Sequence, residues 1–134
     1  MKSLVIEDDL GSRLLLERIL MRYGPCTCVT NAFEGIQRFK EALEQQEPFE
    51  VVVIDIVLPG RDGFEVLAQI RNDERRRHVE AKDRTHLILA TALTDTKYVL
   101  KGFQEGTDLY LTKPFGPPEV RGFLKELGYH PEEL

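Results

Sequence analysis

The chain reads as α/β. Five short apolar runs alternate with five stretches of helical period, and the runs read as continuous, not as apolar on alternate residues only. Unbroken apolar runs mark strands covered on both faces, as in parallel sheets. Strict β-α alternation with right-handed crossovers then gives a doubly wound, five-stranded parallel sheet between two helix layers. At 134 residues there is room for one such domain, which buries roughly two-thirds of the surface its unfolded chain exposes.

The elements follow in order. Leu4-Val5-Ile6 is the first strand. Leu15, Leu16, Ile19, Leu20 and Tyr23 form a helical stripe that Gly24-Pro25 ends. Cys26-Thr27-Cys28-Val29 is the second strand, and Ala32, Ile36, Phe39 and Leu43 mark a second helix with Asn31 as its cap. Val51-Val52-Val53-Ile54 is the third strand, followed by a helix on Phe64, Leu67 and Ile70. Leu87-Ile88-Leu89-Ala90 is the fourth strand, and Val99, Leu100 and Phe103 belong to a fourth helix ending near Gly106. Leu109-Tyr110-Leu111 is the fifth strand. Pro117-Pro118 opens the last helix, on Val120, Phe123, Leu124 and Leu127. The domain is expected to span 1–127, with 128–134 a short tail and no output domain.

Composition narrows the class. With 18 basic and 23 acidic residues the net charge is −5, the wrong sign for direct nucleic-acid binding through phosphate attraction. No signal peptide or membrane span is visible, so the expected location is cytoplasmic, off the membrane. Cys26 and Cys28, the only cysteines, share one strand face at i, i+2. That spacing makes a poor disulfide, and without nearby histidines it makes an unpromising metal site; the pair reads as two buried thiols in a reducing compartment. Residues 71–84 hold six basic and four acidic side chains and read as a solvated helix extension plus loop. His78, His86 and His130 have no ligand spacing and read as structural or surface groups.

The informative polar residues sit where strands end. The first strand ends in Glu7-Asp8-Asp9, the third in Asp55, the fourth in Thr91 and the fifth in Thr112-Lys113-Pro114. In an open parallel sheet these ends share one edge, where ligands bind. Two carboxylates about 4 Å apart repel by roughly 1 to 4 kcal/mol, so such a cluster needs a cation or must hold a proton. All-oxygen donors without His or Cys favour Mg²⁺, with Mn²⁺ as the substitute. A carboxylate beside such a metal can accept a phosphoryl group as an acyl phosphate. Lys113 and the Thr91 hydroxyl would then neutralise and hydrogen-bond the phosphoryl oxygens.

Four segments carry a family likeness: Leu4-Val5-Ile6-Glu7-Asp8-Asp9, Asp55 through Gly63, Ala90-Thr91-Ala92, and Tyr110-Leu111-Thr112-Lys113-Pro114-Phe115. Over about residues 2 to 127 the chain resembles the receiver domains of two-component response regulators. The resemblance implies a flavodoxin-like strand order 2-1-3-4-5. It implies Asp55 as phosphoacceptor, Asp8 and the Val57 backbone carbonyl as metal ligands beside Asp55, and Glu7 acting through metal-bound water. Thr91 and Lys113 match the switch hydroxyl and phosphate-binding lysine, Tyr110 the aromatic switch residue, and Lys113-Pro114 the family's cis peptide. The implied phosphodonor is a histidine kinase or a histidine phosphotransfer protein. The implied readout is binding of a downstream protein through the fourth helix, fifth strand and fifth helix, with Val99, Phe103 and Tyr110 as candidate contacts. A homodimer formed on phosphorylation is compatible with the same surface. The family's two modulating positions hold Val57 and Leu93, both unable to orient an attacking water, which implies slow self-dephosphorylation.

Alternatives fare worse on inventory. A haloacid dehalogenase-like phosphohydrolase wants a second carboxylate two residues after the nucleophile, where Val57 stands. A flavin carrier of the flavodoxin type wants a phosphate loop after the first strand, where Glu7-Asp8-Asp9 would repel phosphate. The only serines, Ser3 and Ser12, lie outside any nucleophile elbow. A receiver-fold binder independent of phosphorylation would not need the full acidic set with Thr91 and Lys113. The expectation is a phosphoacceptor, not an enzyme turning over free substrate.

Overall fold

Five strands and five helices alternate along the computed structural model, which describes residues 1–132. They are β1 (Ser3–Ile6), α1 (Leu10–Leu20), β2 (Cys26–Val29), α2 (Ala32–Glu44), β3 (Val51–Ile54), α3 (Gly63–Arg76), β4 (His86–Thr91), α4 (Thr96–Glu105), β5 (Leu109–Thr112) and α5 (Pro117–Glu126), with a 3₁₀ turn at Ala81–Asp83. The strands pair in parallel in the order β2-β1-β3-β4-β5. Both the class and the order agree with the sequence expectation.

Alternation along each strand splits the core in two. Leu4, Ile6, Val52, Ile54, Leu87 and Leu89 pack with Phe39, Leu67 and Ile70 from α2 and α3. Val5, Val51, Val53, Ile88, Ala90 and Leu111 pack on the other face with Leu16 and Leu20 of α1 and Val120 and Leu124 of α5. Every residue of β1 and β3 is buried, so a one-residue slip would exchange the two cores. The register sets Ile6 beside Ile54, Ile54 beside Leu89, and Thr91 beside Thr112. The carboxyl ends of these strands therefore finish at one edge.

Helix starts are set by short polar side chains. Asp9, Asn31 and Asp62 each accept a hydrogen bond from the amide three residues on, at 2.9 Å, which satisfies one orphan donor of α1, α2 and α3. At α4 the capping position holds Asp95, whose side chain makes no such bond, while the other end closes on Gly106 at φ 107°, a left-handed C-cap that glycine adopts without strain. Pro117 occupies the first turn of α5, where its missing N–H is not needed.

Two expectations need correction. The 71–84 segment is not solvated throughout: Arg71, Asp73 and Glu74 are buried. The core-facing stripe of α3 continues from Leu67 and Ile70 through positions 71 and 74, but with charges in place of apolar groups. They are paired, because Arg71 Nη1 donates to Glu74 Oε1 at 2.8 Å, and Thr85 N donates to Glu74 Oε2 at 2.8 Å. The same guanidinium reaches the Thr85 carbonyl, the Gly106 carbonyl and Asp108. Arg75, Arg76 and Arg77 are exposed, as a charge run predicts. Second, Cys26 and Cys28 are only half-buried, because β2 is an edge strand. Phe103 of α4, one of the candidate contacts, is 49% exposed. Of the expected tail, residues 133 and 134 lie outside the described residues. The described part folds back: Tyr129 Oη meets His86 Nδ1 at 2.9 Å, and Glu132 N donates to the Arg22 carbonyl.

Candidate functional site

The site is assembled from four strand ends. Ile6 pairs with Ile54, so the residues that follow them, Glu7 and Asp55, emerge side by side. Glu7 is 2% exposed and Asp55 7%, while Asp8 is exposed. One carboxylate oxygen from each of Glu7, Asp8 and Asp55 lies within 4.8 Å of the others. Asp9, the remaining acid of the run, turns away to cap α1 and lies outside the cluster.

Lys113 comes from the end of β5. Its Nζ donates to Asp55 Oδ2 at 2.8 Å and also to Glu7 Oε1. The Lys113–Pro114 peptide is cis. Asp55 Oδ1 accepts from the Val57 amide at 3.2 Å, and the Val57 side chain points to solvent, 63% exposed. The Ile56 carbonyl accepts from Gly63 N at 2.7 Å. A Cβ on Gly63 would stand 2.3 Å from the Asp55 carbonyl oxygen, so only glycine lets α3 begin this close to the site.

The charges set protonation. Burial pushes the Glu7 carboxyl up to about 7, with the neighbouring Asp55 adding to the rise and Lys113 opposing it. Glu7 Oε2 is buried without a hydrogen-bond partner. Burial alone would lower the Lys113 ammonium, but Asp55 and Glu7 outweigh it and hold the group above its ordinary range. This arrangement is a buried acid pair clamped by one ammonium, with an exposed third carboxylate at its mouth. It offers only oxygen donors, the set suited to a hard divalent cation. The unpartnered Glu7 oxygen leaves one acceptor of the acid pair that Lys113 does not reach.

Around this centre lie the residues proposed to switch. Thr91 is wholly buried at the end of β4, and its Oγ1 accepts from Leu93 N at 3.4 Å. The Tyr110 hydroxyl donates to the Leu93 carbonyl at 2.5 Å, joining β5 to the loop that follows Thr91. Burial raises the Tyr110 hydroxyl, with Asp55 adding to it. Val99 is half-buried on α4; with Phe103 it lies outside the acidic cluster.

Sequence reasoning missed Arg13. From the first turns of α1 its Nη1 donates to the carbonyls of Glu7 and Asp8, at 3.1 and 3.2 Å, and so fixes the acidic loop from behind. A basic residue four positions after a capping Asp was the available signal.

Comparison with known proteins agrees with this geometry. Transcriptional regulatory protein ResD of Bacillus subtilis is 34% identical over 119 residues, 89% of this chain and 44% of that protein. Transcriptional regulatory protein AfsQ1 of Streptomyces coelicolor is 39% identical over 111 residues, 83% of this chain and again 44% of that protein. The chain thus spans less than half the length of these curated relatives. Among solved structures, the BeF3-activated DrrB receiver domain superposes with a TM-score of 0.72 at 30% identity, covering 93% of this chain and 94% of that one. Chemotaxis response regulator CheY4 of Vibrio cholerae gives a TM-score of 0.76 at 21% identity, covering 94% and 97%, which bears on the fold alone. The family model described as response regulator receiver domain matches residues 4–125, and with that match the chain belongs to the receiver-domain family of two-component response regulators.

Proposed function

We propose that this receiver domain takes a phosphoryl group onto Asp55 from a phosphohistidine donor, a histidine kinase or a histidine phosphotransfer protein. The observation that carries the reading is the convergence of Glu7, Asp8 and Asp55 within 4.8 Å, with Lys113 Nζ 2.8 Å from Asp55. Asp8, Asp55 and the Val57 carbonyl would hold Mg²⁺, or Mn²⁺, with Glu7 acting through its water. Such an ion neutralises charge on the transferring phosphoryl oxygens. In transfer, a carboxylate oxygen of Asp55 forms the P–O bond as the P–N bond breaks, and the imidazole leaves with the bonding electron pair. Lys113, already at Asp55, remains beside the new phosphoryl group and offsets its added charge.

The acyl phosphate adds about 1.5 to 2 negative charges and three acceptor oxygens. These draw the Thr91 hydroxyl away from Leu93 N, and Tyr110 loses its fixed partner as the Leu93 loop moves. The readout is then a change in the surface of α4, β5 and α5, where Val99, Phe103 and Tyr110 meet a downstream protein or a second copy. Leu100 joins that surface at 56% exposure. The domain acts as a phosphoacceptor and not as an enzyme on free substrate.

Incubating the protein with acetyl phosphate and Mg²⁺ tests the proposal. One phosphoryl mass per chain is expected, lost in Asp55→Asn and withheld by EDTA. No gain in mass, with Asp55→Asn indistinguishable from wild type in partner binding, would leave a phosphorylation-independent binder.

A further inference from the structure

The outer strand β2 places a second cluster outside the acidic one. Cys26 and Cys28 project to the same face with their sulfurs 4.0 Å apart, both half-buried and so open to solvent on one side. Sulfurs in a disulfide lie about 2.05 Å apart, so this pair is not poised for one. A metal with bonds of roughly 2.3 Å to each sulfur needs a separation between about 3.8 Å, for tetrahedral angles, and about 4.6 Å, for a linear pair. The observed spacing falls inside that window.

A neighbour of the pair supplies independent support. Ser3 lies opposite Cys26 in the β1–β2 register, is wholly buried, and its Oγ has no hydrogen-bond partner. A protonated thiol is a poor acceptor, which leaves that buried hydroxyl unsatisfied at a cost of about 1–3 kcal/mol. A thiolate would accept it. Consistent with this, Cys26 is drawn below the ordinary thiol range, first by Cys28 and then, against burial, by Ser3. Cys28 is held above that range by Cys26 and by burial, with the neighbouring Glu17 carboxylate of α1 adding to the rise.

The ligand count selects the ion. Among the described residues the one cluster with three metal-ligating side chains within reach of one another is Glu7, Asp8 and Asp55, so the thiol pair has no third ligand at that distance. Zn²⁺ prefers three or four protein ligands, whereas soft thiolates select Cu(I). We infer that Cys26 and Cys28 form a two-coordinate site for one soft monovalent cation of the Cu(I) class, with Ser3 donating to the bound Cys26 sulfur. Binding displaces both thiol protons to solvent and leaves a bis-thiolate complex of net charge −1. Because the ligands belong to a folded edge strand, occupancy stabilises the native state by mass action.

The test is an anaerobic titration of the whole protein with Cu(I) buffered by bicinchoninate, without Mg²⁺. One equivalent is expected, with a near-ultraviolet thiolate charge-transfer band and a raised melting temperature. Cys26→Ser and Cys28→Ser, each shown folded by circular dichroism, should weaken binding by more than the roughly 10- to 100-fold that an outer-shell change costs. Asp55→Asn should bind as wild type does, which separates this site from the phosphoacceptor. Wild-type binding no tighter than that of either serine variant would overturn the inference. So would one copper shared between two chains, or equally tight Zn²⁺ binding that Glu17→Gln abolishes.

Discussion

Replacing Arg71 by methionine is the most severe single test of how this fold is held together. Methionine keeps much of the apolar stem, so the change removes charge and hydrogen bonds more than volume. Five hydrogen bonds leave the guanidinium, to Glu74, to the Thr85 carbonyl, twice to the Gly106 carbonyl and to Asp108. The Asp108 pair counts for little, because that side chain is 38% exposed and water screens it. Glu74, 2% exposed, dominates: without Arg71 its carboxylate stays buried with only the Thr85 amide for company. Removing one partner of a buried pair costs about 3–5 kcal/mol. A domain of this size has about 5–15 kcal/mol in total, so Arg71→Met should remove a large share of it. Glu74→Gln keeps an acceptor for Thr85 N and should cost about 1–3 kcal/mol. The double variant removes the stranded charge, so its loss should fall short of the sum by about 1–3 kcal/mol. Urea unfolding with unchanged m-values measures all three. A loss below about 1 kcal/mol for Arg71→Met, or an additive cycle, would refute the reasoning by showing that the pair is hydrated.

Further outcomes concern the acidic edge and the partner face. In metal-free protein Glu7 should titrate at about 7, raised by burial and then by Asp55. The native state then holds a proton that the unfolded chain has released above about pH 4.3, so this group's contribution to stability is lost as pH rises toward 7. Carboxyl NMR shifts and urea midpoints across that range check both halves; a Glu7 titration near 4 would contradict them. Lys113→Met should raise that titration further and suppress acyl phosphate formation, read by intact mass. Val57→Gln, which offers a water-orienting group beside Asp55, should shorten the acyl phosphate lifetime. An unchanged decay rate would dismiss the side chain's influence. Leu100→Ser and Phe103→Ser lie on exposed α4 positions and should alter stability by no more than about 0.5 kcal/mol. They should still reduce association that depends on phosphorylation, measured by size-exclusion chromatography or pull-down with phosphorylated protein.

The strands were legible because each buried run is apolar on both faces, a pattern few other environments produce. β3 begins and ends where the run Val51 to Ile54 does. The caps were legible in part: Asn31 announces α2, but Asp9 follows Glu7 and Asp8 in one acidic run, and its bond to Ser12 N separates it from them. Strand-end chemistry could be read because parallel order turns distant sequence positions into neighbours at one edge. Arg71 and Glu74 escaped because a window of mixed charge looks wet whatever its geometry. The sign was their spacing, since positions 67, 70, 71 and 74 stay on one helical face. The thiol pair escaped for a different reason. Its distance depends on rotamers, and the empty hydroxyl of Ser3 comes from another strand.

The mounting of α4 has a mechanical consequence. Gly102 is its one buried residue, pressed so close to β4 that a Cβ there would stand 2.7 Å from Leu89. Gly106, just beyond, is gripped by Arg71, while the Asp95 end has no side-chain cap. The helix is therefore a lever with its fulcrum near Gly102–Gly106 and its free end beside the Thr91–Leu93 loop. Small displacements of that loop would swing the free end most, against the half-buried Tyr98 that packs on the core. On the proposed function, such a switch would move the exposed Leu100 and Phe103 side chains without disturbing the sheet beneath them.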